Sequence, residues 1–86
     1  MKIKEGFLKR EVAGQTVVLP VGGDLDLNMM ITLNDTAAFL WDQMQVETDE
    51  ATLVAALLAE YKVDASTAQK AVSTFVRKLD DNGFLA

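Results

Sequence analysis

Between Leu25 and Trp41 the hydrophobic repeat changes its period, and that change constrains the fold more than any other feature. Leu25, Leu27, Met29, Ile31 and Leu33 occupy alternate positions. Asp24, Asp26, Asn28 and Thr32 fall between them, and only Met30 is out of step. A two-residue repeat is that of a strand with one buried face. From Ala37 the apolar residues recur at three- and four-residue steps, through Leu40, Trp41 and Met44, as on one stripe of a helix. Asn34 stands at the junction as an N-cap, and Asp35 places negative charge on the first helical turn. A strand thus runs almost directly into a helix, and the two are fixed as a corner.

The flanking segments extend this corner into an α+β chain. Phe7–Val12 and Gln15–Leu19 are β-prone runs around a small-residue turn in which Gly14 is free to take positive φ, the pattern of a hairpin. Pro20 ends its second strand, and Val21–Asp24 turns into a third strand whose regular part is expected at Asn28–Leu33. Met1–Gly6 reads as a charged lead-in. Three helices follow. The first is expected over Asp35–Gln45. The second opens at Thr48 as N-cap and carries the stripe Leu53, Val54, Leu57, Leu58 and Tyr61. The third opens at Ser66, with Gln69 completing a capping box, and buries Ala68, Ala71, Val72, Phe75, Val76 and Leu79. Asn82-Gly83 stops it, and Phe84 and Leu85 fold back as an apolar anchor. The expectation is one domain over residues 1–86, a three-stranded antiparallel sheet followed by three helices. Helices two and three, joined through Lys62–Ala65, make it winged helix-turn-helix-like.

Composition narrows the chemistry. With neither cysteine nor histidine, disulfides, thiolate nucleophiles, zinc-type sites and imidazole bases are excluded. The net charge is −5. Residues 1–33 are balanced, with Lys2, Lys4, Lys9 and Arg10 against Glu5, Glu11, Asp24 and Asp26, so the helical half carries the whole excess. That weighs against nucleic acid and membrane surfaces as partners. No apolar run reaches the length of a membrane span or forms a signal peptide, and a cytoplasmic location is expected.

The acidic residues do not form a catalytic set. Asp80 and Asp81 are neighbours on a helix, so they point about 100° apart. Asp24 and Asp26 share a strand face, but a hard cation needs six or more oxygens and no calcium-loop spacing is present; a solvated polar face is the simpler reading. Gly22-Gly23 lacks the context of a phosphate loop. No cofactor and no metal site are expected, and the chain reads as non-catalytic. A winged-helix nucleic-acid-binding regulator is the alternative, with Lys70, Arg77 and Lys78 on a reading helix, although Asp80 and Asp81 follow directly. Trp41, on the face of Ala37 and Met44, reads as a packing residue. Phe39 lies opposite that stripe, either under the hairpin or at a self-association surface. Met29 and Met30 are core filler or part of an adaptable peptide groove.

The run Ile31-Thr-Leu-Asn-Asp-Thr-Ala-Ala-Phe-Leu-Trp41 resembles the Leu-Asn-x-Thr-(Ala/Gly)-x-x-(Leu/Ile)-Trp signature of the PqqD-like family, also called RiPP recognition elements. The early hairpin, the Leu-rich second helix, Tyr61-x-Val63 and Leu79-x-x-x-Gly83 extend the likeness over nearly the whole chain. The resemblance implies a peptide chaperone that binds the leader of a ribosomally made precursor peptide and presents it to a modifying enzyme, often a radical SAM protein. In pyrroloquinoline quinone biosynthesis those partners are PqqA and PqqE. It also implies that the leader adds a strand beside the third strand, against the third helix. Carried over, the docking edge is Asn28, Met29, Met30, Ile31, Thr32 and Leu33. The facing wall is the third helix, with Ala71, Phe75, Lys78 and their neighbours as contributors, and Arg77 or Lys78 is available to steer an acidic leader.

Energetics qualifies that mode. A six-residue strand would make about four or five backbone hydrogen bonds worth roughly 0.5–1.5 kcal/mol each. Ordering costs about 1–2 kcal/mol per residue. Apolar side chains entering the groove, at roughly 1.5–3 kcal/mol when fully buried, must therefore decide affinity. Without a leader, the open strand edge could pair with a second copy as a homodimer.

Overall fold

The computed structural model describes residues 1–21 and 30–86. Six elements follow in the order β1 (Phe7–Val12), β2 (Gln15–Pro20), β3 (Ile31–Leu33), α1 (Asp35–Gln43), α2 (Glu50–Glu60) and α3 (Ala65–Asp81). The expected α+β class and element order are both found. The strands form an antiparallel sheet of order β1-β2-β3, with Leu8 opposite Leu19 and Val18 opposite Ile31. β3 is shorter than the expected Asn28–Leu33. Met30 precedes it outside the strand, while Asn28, Met29, the Gly22-Gly23 turn and the Asp24/Asp26 pair lie outside the described residues.

The hairpin closes through Ala13 and Gly14, with φ of 53° and 81°. Two positive φ values in a two-residue loop match the right-handed twist of the flanking strands. β2 ends on Pro20, and Val21 N donates to Gly6 O at 2.7 Å beyond it.

Helix starts share one device. The side chains of Asn34, Asp49 and Asp64 accept from the backbone N–H three residues on, at Ala37 (2.8 Å), Thr52 (2.7 Å) and Thr67 (2.6 Å). The expected cap at Asn34 is therefore present. The expected caps at Thr48 and Ser66 are not: Asp49 and Asp64 take the role. Each segment offers two overlapping capping patterns, and an ionised carboxylate binds the orphan N–H groups and the positive helix end more strongly than a hydroxyl does. α1 stops two residues before the expected Gln45, where Met44 N donates back to Leu40 O and Trp41 O.

The expected Asn82-Gly83 stop is a Schellman turn. Gly83 has φ 78°, Gly83 N donates to Asp80 O (3.2 Å) and Phe84 N to Leu79 O (2.9 Å). The turn drives Phe84 into the core, where it is fully buried against Phe7 (centroids 4.5 Å apart) and Trp41 (5.9 Å). Trp41 is a packing residue, as its stripe implies. The lead-in is more than charged solvent-facing chain: Ile3 is buried and bridges to Leu85, and Ile3 N donates to Met44 O at 2.8 Å. Phe39 is half-buried against the core rather than exposed. It packs edge-on to Tyr61 at 5.6 Å and 81°.

The shared core consists of Val18, Leu33, Leu40, Trp41, Met44, Leu53, Leu57, Ala68, Val72, Phe75, Leu79 and Phe84 with Ile3. Leu58 of the expected α2 stripe stays exposed. Lys9 Nζ contacts both oxygens of Asp42 at 2.7 Å, tying β1 to α1 across the surface.

The caps predict a pH response. The backbone N–H of Thr52 holds the Asp49 carboxyl below its ordinary 3.8, and that of Thr67 does the same to Asp64. A lowered folded-state value stabilises fully above the unfolded one and is lost as pH falls through it. Helix stability should therefore fall below about pH 4. Urea midpoints measured from pH 6 to pH 2.5 should drop less steeply in Asp49→Asn/Asp64→Asn than in the native chain.

Candidate functional site

A concavity lies where the corner faces the last helix. It is an open groove of about 460 Å³. One wall is Thr32, Leu33 and Asn34 at the end of β3, with Thr36, Ala37 and Leu40 from the first turns of α1. The other is a row along α3: Thr67, Lys70, Ala71, Thr74, Phe75 and Lys78. Residues three and four apart share a helix face, so this row is one face followed for three turns. The groove therefore runs along the helix for roughly 16 Å at 1.5 Å per residue.

Its geometry follows from the elements. β3 pairs only with β2 among the described residues, which leaves its other edge unpaired. Leu33 is buried and Thr32 exposed on that edge strand. α3 supplies both floor and rim, since Phe75 is only 7% exposed whereas Lys70, Thr74 and Lys78 are exposed. An apolar floor beside an open strand edge can accept an extended chain through backbone hydrogen bonds on one side and alternate side chains on the other.

The sequence-predicted residues divide accordingly. Thr32, Leu33, Ala71, Phe75 and Lys78 come together on the groove. Ile31 is half-buried and packs against the core instead, and Met30 is exposed outside the strand. Asn28 and Met29 lie outside the described residues. Arg77 is elsewhere, lining a separate depression with Glu50, Val76 and Asp80. It precedes Lys78 by one residue, and so points about 100° away. Thr67, Lys70 and Thr74 are not among the residues the sequence assigns to the groove, although three- and four-residue steps link Thr67 to Lys70 and Ala71, and Thr74 to Lys70, Ala71 and Lys78.

A family model described as coenzyme PQQ synthesis protein D (PqqD) matches residues 15–85. The chain belongs to the PqqD family. Its fold is shared with two solved structures, each 23% identical. One is described as TbiB1 in complex with the TbiA(beta) leader peptide, with a TM-score of 0.74 over 99% of this chain and 94% of that one. The other is a lasso peptide synthetase B1 complexed with the leader peptide, with a TM-score of 0.71 over 96% and 93%. No curated protein gives a significant match.

Phe75 belongs to floor and core alike, which sets what its removal does. Phe75→Ala should lower the unfolding free energy by about 3–5 kcal/mol, read from urea denaturation. A binding loss in that variant would report on folding as much as on the groove.

Proposed function

We propose that this PqqD-family chain is a non-catalytic peptide chaperone. It binds the leader of a ribosomally made precursor peptide as an added strand on β3, against α3, and presents it to a peptide-modifying enzyme, for which a radical SAM protein is our first candidate. The observation that carries this reading is the groove itself, a strand edge unpaired among the described residues and a three-turn helix face enclosing an apolar floor. Family membership and a fold shared with two leader-peptide complexes support it. The pathway is that of pyrroloquinoline quinone or of another modified peptide, and the cytoplasm is where we place the encounter. The lining offers contact rather than proton transfer: apolar carbons, threonines, Asn34 and two lysines. No helix among the described residues is long and apolar enough to cross a membrane.

The described β3 changes the energetic balance. Three residues rather than six present about three outward backbone groups, since alternate groups of an edge strand face its partner. At roughly 1 kcal/mol each, these cannot offset an ordering cost of about 1–2 kcal/mol per leader residue. Burial of leader side chains over Ala71, Phe75 and Leu40 must supply the difference. Free of leader, the same edge is available to a second copy of the chain.

Nothing in the geometry favours the nucleic-acid alternative. A reading helix needs its basic groups on one face, but Lys70 and Lys78 line the groove while Arg77 sits beside Asp80 and Glu50.

An amide NMR titration with the leader of a neighbouring precursor gene tests the proposal. Shifts should concentrate on Ile31–Leu33 and on Thr67–Lys78. Shifts confined to other surfaces, or saturable shifts only with a DNA duplex, would refute it. Ala71→Trp, which fills the half-buried groove face, should weaken leader binding by at least about tenfold, equivalent to 1.4 kcal/mol. Ser73→Trp, away from the groove, should leave it unchanged.

A further inference from the structure

The groove carries a charge that its surroundings do not. The chain has a net charge of −5, with nine carboxylates on residues 34–86. Among the described residues lining the groove none is acidic, and two, Lys70 and Lys78, are basic. Both lysines are exposed, and the ion pairs found among the described residues involve neither of them.

Their spacing is as informative as their sign. Lys70, Thr74 and Lys78 are successive i, i+4 positions on α3, so the lysine attachment points lie about 12 Å apart along the helix axis. A strand lying along the same groove advances about 6.6 Å between side chains on one face, hence about 13 Å over four residues. The two repeats stay in step over this length. A leader residue facing Lys70 is therefore followed, two positions later, by one facing the Ala71 and Phe75 floor. The next on that face meets Lys78.

Resting on the strand-addition reading above, we infer that Lys70 and Lys78 select leaders with two carboxylate side chains four residues apart and an apolar residue midway between them. The lysines act as a two-point gauge: they set which stretch of the leader occupies the groove and in what register. An added strand displaced by one residue turns its carboxylates and its apolar residue to the opposite face, so register is discriminated by both at once. The leader's chemistry is thus acidic, x, apolar, x, acidic.

Selection of displayed random peptides of about twelve residues on the immobilised chain tests this, followed by titration of a synthetic selected peptide. The expected result is enrichment of Asp or Glu pairs four apart around an apolar residue. Changing both carboxylates to glutamine should weaken binding about tenfold, since each exposed pair is worth up to about fivefold. In Lys70→Gln/Lys78→Gln, checked for an unchanged circular dichroism spectrum, that difference should vanish. In Lys70→Glu/Lys78→Glu a peptide with two lysines four apart should bind better than the acidic one. Selected peptides that shift β3 and α3 amides but carry no acidic pair, or that bind equally with glutamine, would overturn the gauge and leave strand addition standing. Selected peptides that shift no groove amide would overturn both.

Discussion

The hydrogen bond from Ala37 N to Asn34 Oδ1 holds the corner on which the rest of the molecule depends. On one side of it Leu33 is buried as the last residue of β3, and on the other Leu40 and Trp41 are buried as the first core turn of α1. Because one residue separates strand from helix, the open edge of β3 and the start of α1 cannot be placed independently. Leu33, Asn34, Thr36, Ala37 and Leu40 form one continuous wall as a result. The groove needs only a second wall, and α3 supplies it by burying Ala68, Val72, Phe75 and Leu79 against the same core.

How α3 is held in place is less evident from the corner. Its C-terminal Schellman turn sends Phe84 beneath Trp41 and Phe7, so a single buried ring touches aromatic residues of the sheet and of α1. The tail then pairs with the lead-in, with Lys4 N donating to Phe84 O at 2.8 Å and Ala86 N to Lys2 O at 3.0 Å. The lead-in is in turn bonded to the end of α1 through Ile3 N and Met44 O. This circuit fixes the far end of α3. The groove face of the helix is thereby set by contacts made outside the groove, which leaves Lys70, Thr74 and Lys78 free for a ligand.

Sequence periodicity conveyed most of this arrangement, and its failures have physical causes. The change of period at Leu33–Ala37 located the corner, and the i, i+3, i+4 stripe of α3 identified its buried face. The caps at Thr48 and Ser66 were misplaced because hydroxyl and carboxylate patterns overlap there, and ionised Asp49 and Asp64 bind the helix end more strongly. Ile3 was read as lead-in because an isolated apolar residue among Lys2, Lys4 and Glu5 carries no period; its burial comes from pairing with Leu85, 82 positions away. Arg77 was grouped with Lys78 on adjacency, though a helix separates adjacent residues by about 100°. The same angle keeps Asp80 and Asp81 from converging on one atom.

The acidic balance of the chain and the lysines of the groove work at different distances. At physiological ionic strength, charges interact over about 8 Å before screening reduces them. The nine carboxylates of the helical half therefore repel an acidic peptide weakly and diffusely, wherever it approaches. In the proposed mode Lys70 and Lys78 attract it only at contact, beside an apolar floor and a strand edge that is unpaired among the described residues. Each contribution alone is small: exposed ion pairs are worth roughly 0–1 kcal/mol, and the short ladder does not cover the cost of ordering. A peptide gains useful affinity only when carboxylates, apolar residue and backbone are satisfied together. Diffuse repulsion with local attraction thus favours discrimination over tight binding, as the proposed presentation of a peptide to an enzyme would require.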